Sequence, residues 1–275
     1  MNNNTSVKDH GVKEEVFRVS ELVQKLAVQV LATHPAGEGM CLIGGFRYRL
    51  LDAGCRRSLD IDYHWPGDLA AKQAEIVALF RRKLVPLVRT RLGLNGDVRA
   101  ATGPESESPA VRIVEVAVWR PGAELGRITI PVDITRIPCA DRAIVRTVDG
   151  VVYLSASDAD MAESKIIALF ARRHPEERDM LDLFLFQDKL PGDSAGRVDH
   201  KLRQIGVSKA AMEETWRRMV ASREYHIRMI EAIVREQVDP VPAANLRAAG
   251  GGAMIFDRVM EIVSSCLGGR REHDR

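Results

Sequence analysis

The sequence contains no apolar run long enough to cross a bilayer, which excludes a helical membrane span, and no membrane partner is expected. Its four cysteines, Cys41, Cys55, Cys139 and Cys266, are scattered without metal-ligand spacing, so no zinc module is expected. No cleavable signal sequence is read at the N-terminus, and the thiols are expected to be reduced and mostly buried in a cytoplasmic protein. Charge of one sign is also scarce. A formal net charge of +2 carries no statement about a polyanionic partner, because local fields rather than totals steer such binding. There is no Walker-type glycine loop, no dinucleotide fingerprint, no HExxH pair and no serine in a nucleophile elbow. His64, His174, His200 and His226 stand far apart in sequence, so histidine chemistry is not expected.

What is present suits a globular chain. With 275 residues, 45% hydrophobic and 28% charged, it can hold one large core or a catalytic core with an appended helical lobe. The segment from Val12 to Thr33 carries apolar residues at helical spacing, with Val16, Val19, Leu22, Val23, Leu26 and Val30 on one stripe. The polar residues before it are expected to fray. A short apolar run follows, then Gly44-Gly45 and a helix ending near Gly54. Residues 57–65 read as a strand with Leu59 and Ile61 on one face and Ser58, Asp60 and Asp62 on the other. Asp68 is placed to cap a helix reaching about Arg91.

Three extended segments come next, of which 110–119 and 126–136 alternate most clearly, with a polar turn or disordered loop at 103–108. Asp149-Gly150 between β-branched runs predicts a hairpin. From Ser157 onward the periodicity is helical, with one long amphipathic stretch over 208–238, a loop at 239–252, a last helix and a charged tail. Met212, Met219, Met229, Trp216 and Ile230 are expected in its core. The layout is α+β: a mixed first domain over 1–155 and a helical lobe over 156–275.

Two groups of residues carry chemistry. A glycine pair before a helix lets backbone amides approach a polyphosphate at the positive end of the helix dipole. Asp60 and Asp62, two apart on a strand, point the same way and can reach one hard cation. A two-aspartate pattern alone is weak evidence, since most chance matches are solvated acids on an edge strand. Further along, Lys165 and Arg172 lie seven residues apart on one helical face, and Asp179 and Asp182 share another. In the segment 126–136, Asp133 alternates with Thr129 and Thr135 against Ile128, Ile130, Val132 and Ile134, and Glu115 is its rival as a further carboxylate.

The order Gly44-Gly45, then Arg56-x-Ser58-x-Asp60-x-Asp62, resembles the first motif of the DNA polymerase β-like nucleotidyltransferases in its AbiEii/MenT-type toxin variant. Lys165, Arg172, Arg178, Asp179 and Asp182 resemble the later motif of that family, and together the motifs frame much of the first two-thirds of the chain. One departure is Phe46-Arg47 after the glycine pair, where the family usually has a small or hydroxyl residue; Arg47 is expected to face solvent.

The resemblance implies a polymerase β-like nucleotidyltransferase core, a mixed β-sheet flanked by helices, with the C-terminal helical lobe completing the active site. It implies transfer of a nucleoside monophosphate from a nucleoside triphosphate to an acceptor hydroxyl, with Mg2+ (or Mn2+) held by Asp60 and Asp62. Asp133 is the implied third carboxylate. Gly44, Gly45, Arg56, Ser58, Lys165, Arg172 and Asp182 are assigned to the nucleotide, with Asp179 orienting Lys165 or the nucleotide. The family includes toxins of toxin–antitoxin systems, so tRNA is the implied acceptor and an antitoxin protein a partner. Arg56, Arg81, Arg82 and Arg89 are expected to supply basic surface for RNA. A non-catalytic nucleotide-binding module and a small-molecule, antibiotic-type nucleotidyltransferase are the competing readings.

Overall fold

The computed structural model describes residues 3–101, 110–120, 122 and 126–268. The loop expected at 103–108 and the charged tail lie outside the described residues. The chain divides into two compact units, residues 1–136 with 143–155, and residues 137–142 with 156–275. Among the described residues no helix is long and apolar enough to cross a membrane.

The first unit is built on a seven-stranded sheet of order β3-β4-β5-β2-β1-β7-β6. Its strands are β1 (Cys41–Ile43), β2 (Ile61–His64), β3 (Asn95–Ala100), β4 (Val111–Trp119), β5 (Ile128–Thr135), β6 (Ile144–Val148) and β7 (Val151–Ser155). The β2–β5 and β1–β7 pairs are parallel and the rest antiparallel, so the sheet is mixed. One face is apolar. Ile61, Tyr63, Val114, Val116, Ile130, Val132 and Ile134 are buried there with helix residues Val23, Ala27, Leu31, Ile76 and Leu79 in a single cluster. Each buried valine, leucine or isoleucine among them stabilises the unit by about 1.5–3 kcal/mol relative to an exposed one.

Helix α1 runs Asn3–Ala32, so the polar leading segment continues the helix where fraying was expected. Once the apolar stretch nucleates a helix, adding a residue costs little, and the hydrogen-bonded run extends outward. Helix α2 spans Gly44–Leu51 and α3 spans Leu69–Leu79, the latter capped by the Asp68 carboxylate accepting from the Ala70 and Ala71 amides. A π turn at Phe80–Leu84 joins α3 to α4 (Val85–Leu92). The wider turn fits a helix that meets Pro86 in its interior, where a regular α ladder would clash and lose a hydrogen bond. It keeps Phe80 and Leu84 buried and leaves Arg81, Arg82 and Lys83 outside. The β6–β7 hairpin turns at Asp149 and Gly150, both with positive φ (50° and 76°), which is the backbone a two-residue hairpin needs.

The second unit contains helices α5 (Asp158–Ala171), α6 (Glu177–Leu185), α7 (Ser194–Gln204), α8 (Lys209–Ala221), α9 (Arg223–Gln237), α10 (Pro240–Ala248) and α11 (Gly251–Gly268). Three sequence expectations change here. The long stretch over 208–238 is two helices, broken at Ser222, whose φ/ψ of −99°/19° leaves the helical region. The presumed loop at 239–252 contains α10, because Pro240 sits in the first turn, where a missing N–H costs nothing. Met212 and Met219 are buried, but Met229 is exposed.

A charge network, buried at Asp160, Glu163 and Lys201 and reaching the surface at Asp141, ties this unit together. The Asp160 carboxylate accepts from the backbone amides of Ala140 and Asp141 at 2.9 and 3.0 Å. Lys201 pairs with Asp160 and, at 2.5 Å, with Glu163. Arg197 reaches Glu163 at 2.6 Å and grips Asp141 with two nitrogens at 2.8 and 2.9 Å. Hydrogen bonds from Arg197 and Ser157 hold the Asp141 carboxyl down at about 2, so this anchor stays ionised across ordinary pH. Segment 137–142 is thereby fastened to α5 and α7.

Candidate nucleotide and metal site

In the first unit, strand register gathers the residues that the sequence spaces apart. In the antiparallel β1–β2 pair, Ile43 lies opposite Asp62, which sets the start of α2 beside that carboxylate. In the parallel β2–β5 pair, Asp62 lies opposite Asp133. Neighbouring strands run about 4.8 Å apart, so the two aspartates stand side by side on the face opposite the apolar core. Glu115 has a different setting: it pairs with Pro131 in register and receives a 2.6 Å ion pair from Arg99.

The glycine pair fits tightly against this group. Gly44 has φ +76°, and a Cβ there would come within 1.8 Å of the Asp62 Oδ2 oxygen. A Cβ on Gly45 would meet Arg56 Nη2 at 2.2 Å and Ser58 Oγ at 2.8 Å. Gly44, Gly45, Arg56, Ser58 and Asp62 are thus in direct apposition, and the Ser58 hydroxyl donates to the Asp60 carboxylate. One oxygen of Asp133, Oδ1, is buried. Gly44→Ala is expected to destabilise the first unit by about 2 kcal/mol, from a side chain forced into left-handed backbone and against a carboxylate. Thermal denaturation checks it: an unchanged midpoint would mean that the approach is looser than drawn.

The segment before β2 departs from the expected strand. Regular pairing of β2 starts only at Ile61, and residues 59–60 form a bend that leaves Leu59 41% exposed, off the apolar face. The cause lies on α1. The Gln24 side-chain nitrogen donates to the carbonyl oxygens of both Ser58 and Asp60, each at 3.0 Å, satisfying groups that a ladder would otherwise use. Gln24 is fully buried, at 0% exposure. It was invisible to periodicity, which reads apolar residues and passes over a polar one among them.

Two arginines also differ from expectation. Arg47 is buried at 0% exposure rather than facing solvent; its Nε donates to Ser155 Oγ at 3.0 Å and its guanidinium pairs with Asp52. It anchors α2 to the end of β7. Arg56 is buried behind Gly45 and donates to the Arg57 carbonyl at 3.1 Å, so it cannot offer open surface to RNA. Arg81, Arg82 and Arg89 are exposed on the first unit.

In the second unit, Lys165 is buried between two carboxylates, Asp179 at 2.9 Å and Asp182 at 2.8 Å. Arg172, at the end of α5, reaches Asp179 at 2.6 Å and Glu176 at 2.8 Å. Asp179 therefore joins both cations, and Asp182, one turn along α6, holds the same lysine. Among the described residues, no three or more His, Cys, Asp or Glu side chains gather closely enough to hold an ion by themselves.

No protein-family model and no curated protein matches the sequence. Solved structures do share its fold. JHP933 of Helicobacter pylori superposes with a TM-score of 0.54 at 14% identity, over 95% of each chain. The MenT4 nucleotidyltransferase toxin of Mycobacterium tuberculosis H37Rv superposes with a TM-score of 0.50 at 16% identity, over 92% of this chain and 89% of that one. The chain shares the α+β fold of these proteins, a mixed sheet with helices followed by a helical lobe.

Proposed function

We propose that this protein, on its nucleotidyltransferase fold, is a metal-dependent enzyme that moves a nucleoside monophosphate from a nucleoside triphosphate to an acceptor hydroxyl. The observation that carries the reading is the apposition of Gly44, Asp62 and Asp133 across three strands and a helix start. Like charges side by side on adjacent strands repel, and a hard cation relieves that repulsion. The donor set suits one: every candidate ligand is a carboxylate oxygen, and magnesium needs only one or two of these, completing its shell with water and phosphate oxygens. Asp60 and Asp62 would hold Mg2+ or Mn2+, with Asp133 beside them; when bound, the ion neutralises charge on the triphosphate.

The chain's own groups account for the remaining work. The backbone at Gly44 and Gly45, at the N-terminal end of α2, approaches the phosphates where no side chain intervenes. The acceptor oxygen attacks the α-phosphorus and forms one P–O bond, while the bond to the bridging oxygen breaks and pyrophosphate leaves. The hydroxyl proton passes to Asp133. Motif resemblance assigns Lys165 and Arg172 to the nucleotide phosphates, with Asp179 and Asp182 fixing the lysine ammonium. Catalysis of this kind rests on positioning and electrostatics rather than on covalent steps by the protein.

The finer reading is a toxin of a toxin–antitoxin pair that acts on tRNA in the cytoplasm, restrained by a cognate antitoxin protein. The likeness to a nucleotidyltransferase toxin supports it, as do the exposed Arg81, Arg82 and Arg89. Incubation with tRNA, magnesium and each α-labelled nucleoside triphosphate tests it. Label on RNA is the expected result. Label on an aminoglycoside instead would place the enzyme among the antibiotic-modifying transferases, and nucleotide binding without any transfer would leave a binding module.

A further inference from the structure

We propose that Gln24 is a positioning residue that sets the Asp60 carboxylate for metal binding; this rests on the metal-site reading above. Its side-chain nitrogen spans two carbonyls that flank Leu59, and so holds the bend that carries Asp60. The bend in turn brings the Ser58 hydroxyl onto the Asp60 carboxylate. Strand β2 itself begins one residue later, at Ile61. The Asp60 carbonyl is thus held by a side chain 36 residues away in the sequence.

Stability alone does not explain a glutamine at this position. Its neighbours along the buried side of α1 are Ser20, Val23, Ala27 and Val28, mostly apolar, and an apolar side chain would pack among them. A buried amide loses its hydration, while each internal hydrogen bond returns only about 1 kcal/mol net. What the amide supplies, and leucine cannot, is a fixed distance from α1 to both carbonyls. Groups that orient metal ligands in this way typically change metal affinity by about 10–100-fold when removed.

The test measures Mn2+ binding to the full chain by calorimetry, without nucleotide, beside thermal denaturation and kcat and KM for nucleotidyl transfer. Gln24→Leu is expected to weaken Mn2+ binding by roughly tenfold and to lower kcat more than KM. Val23→Ala, one residue away, is the control: it lowers the denaturation midpoint by opening a cavity but leaves Mn2+ affinity unchanged. If Gln24→Leu does not fold, Gln24→Asn, which keeps the amide but is one methylene too short to span both carbonyls, decides by the same readouts. A folded Gln24 variant with wild-type Mn2+ affinity overturns the proposal. Asp62→Asn separates the two levels: if it leaves Mn2+ affinity intact, the metal-site reading itself fails and takes the proposal with it, whereas loss of affinity in Asp62→Asn but not in a folded Gln24 variant overturns the role of Gln24 alone.

Discussion

Asp62→Asn is expected to lower nucleotidyl transfer by about a thousandfold while leaving the fold intact, the magnitude typical of removing one preorganised electrostatic group. Asparagine has the shape of aspartate, so the close approach to Gly44 and the pairing with Ile43 and Asp133 are preserved. Only the negative charge is removed. Because Asp62 joins the glycine turn on one side and Asp133 on the other, no neighbouring carboxylate can take its place without a change of register. Single-turnover transfer measured beside the denaturation midpoint checks this. Full activity in a folded Asp62→Asn protein would mean that the chemistry lies elsewhere.

Lys165→Ala is expected to destabilise the helical unit by about 3–5 kcal/mol, the usual consequence of removing one partner from a buried ion pair. The loss arises less from missing attraction than from Asp179 and Asp182, which stay buried without the cation that both contact. Combining Lys165→Met with Asp179→Asn and Asp182→Asn removes the charges together and is expected to recover much of that stability. Compared with the Asp179→Asn, Asp182→Asn double variant, which keeps the lysine, the combined variant is expected to transfer less if the lysine serves the nucleotide. Urea denaturation and the labelling assay separate the two roles. A single Lys165→Ala protein as stable as wild type would show that water replaces the ammonium without penalty.

Much of the fold was legible because its signals are local. Asp68 capped α3, and Asp149-Gly150 turned the β6–β7 hairpin, because each depends on a few adjacent residues. Alternation in 126–136 correctly set Asp133 opposite the buried Ile130, Val132 and Ile134. Signals failed where two local rules competed or where a distant group intervened. Pro240 and Pro242 suggested a loop, yet prolines in a first turn are compatible with α10. The strand pattern over 57–60 was overridden by Gln24 withdrawing two carbonyls from any ladder.

By itself the sequence determined which chemistry was available: a glycine pair, hard carboxylates at strand spacing, and a lysine-led charge motif on helices, all expressed within short stretches of chain. The tertiary structure alone decided which of these residues meet. Strand register placed Asp133, and not Glu115, beside Asp62. Burial turned Arg47 and Arg56 from expected surface cations into internal supports. Packing of α1 brought the Gln24 amide onto the Ser58 and Asp60 carbonyls. The reason is physical: spacing along a chain sets which face a side chain occupies, but only pairing between distant segments sets its neighbours.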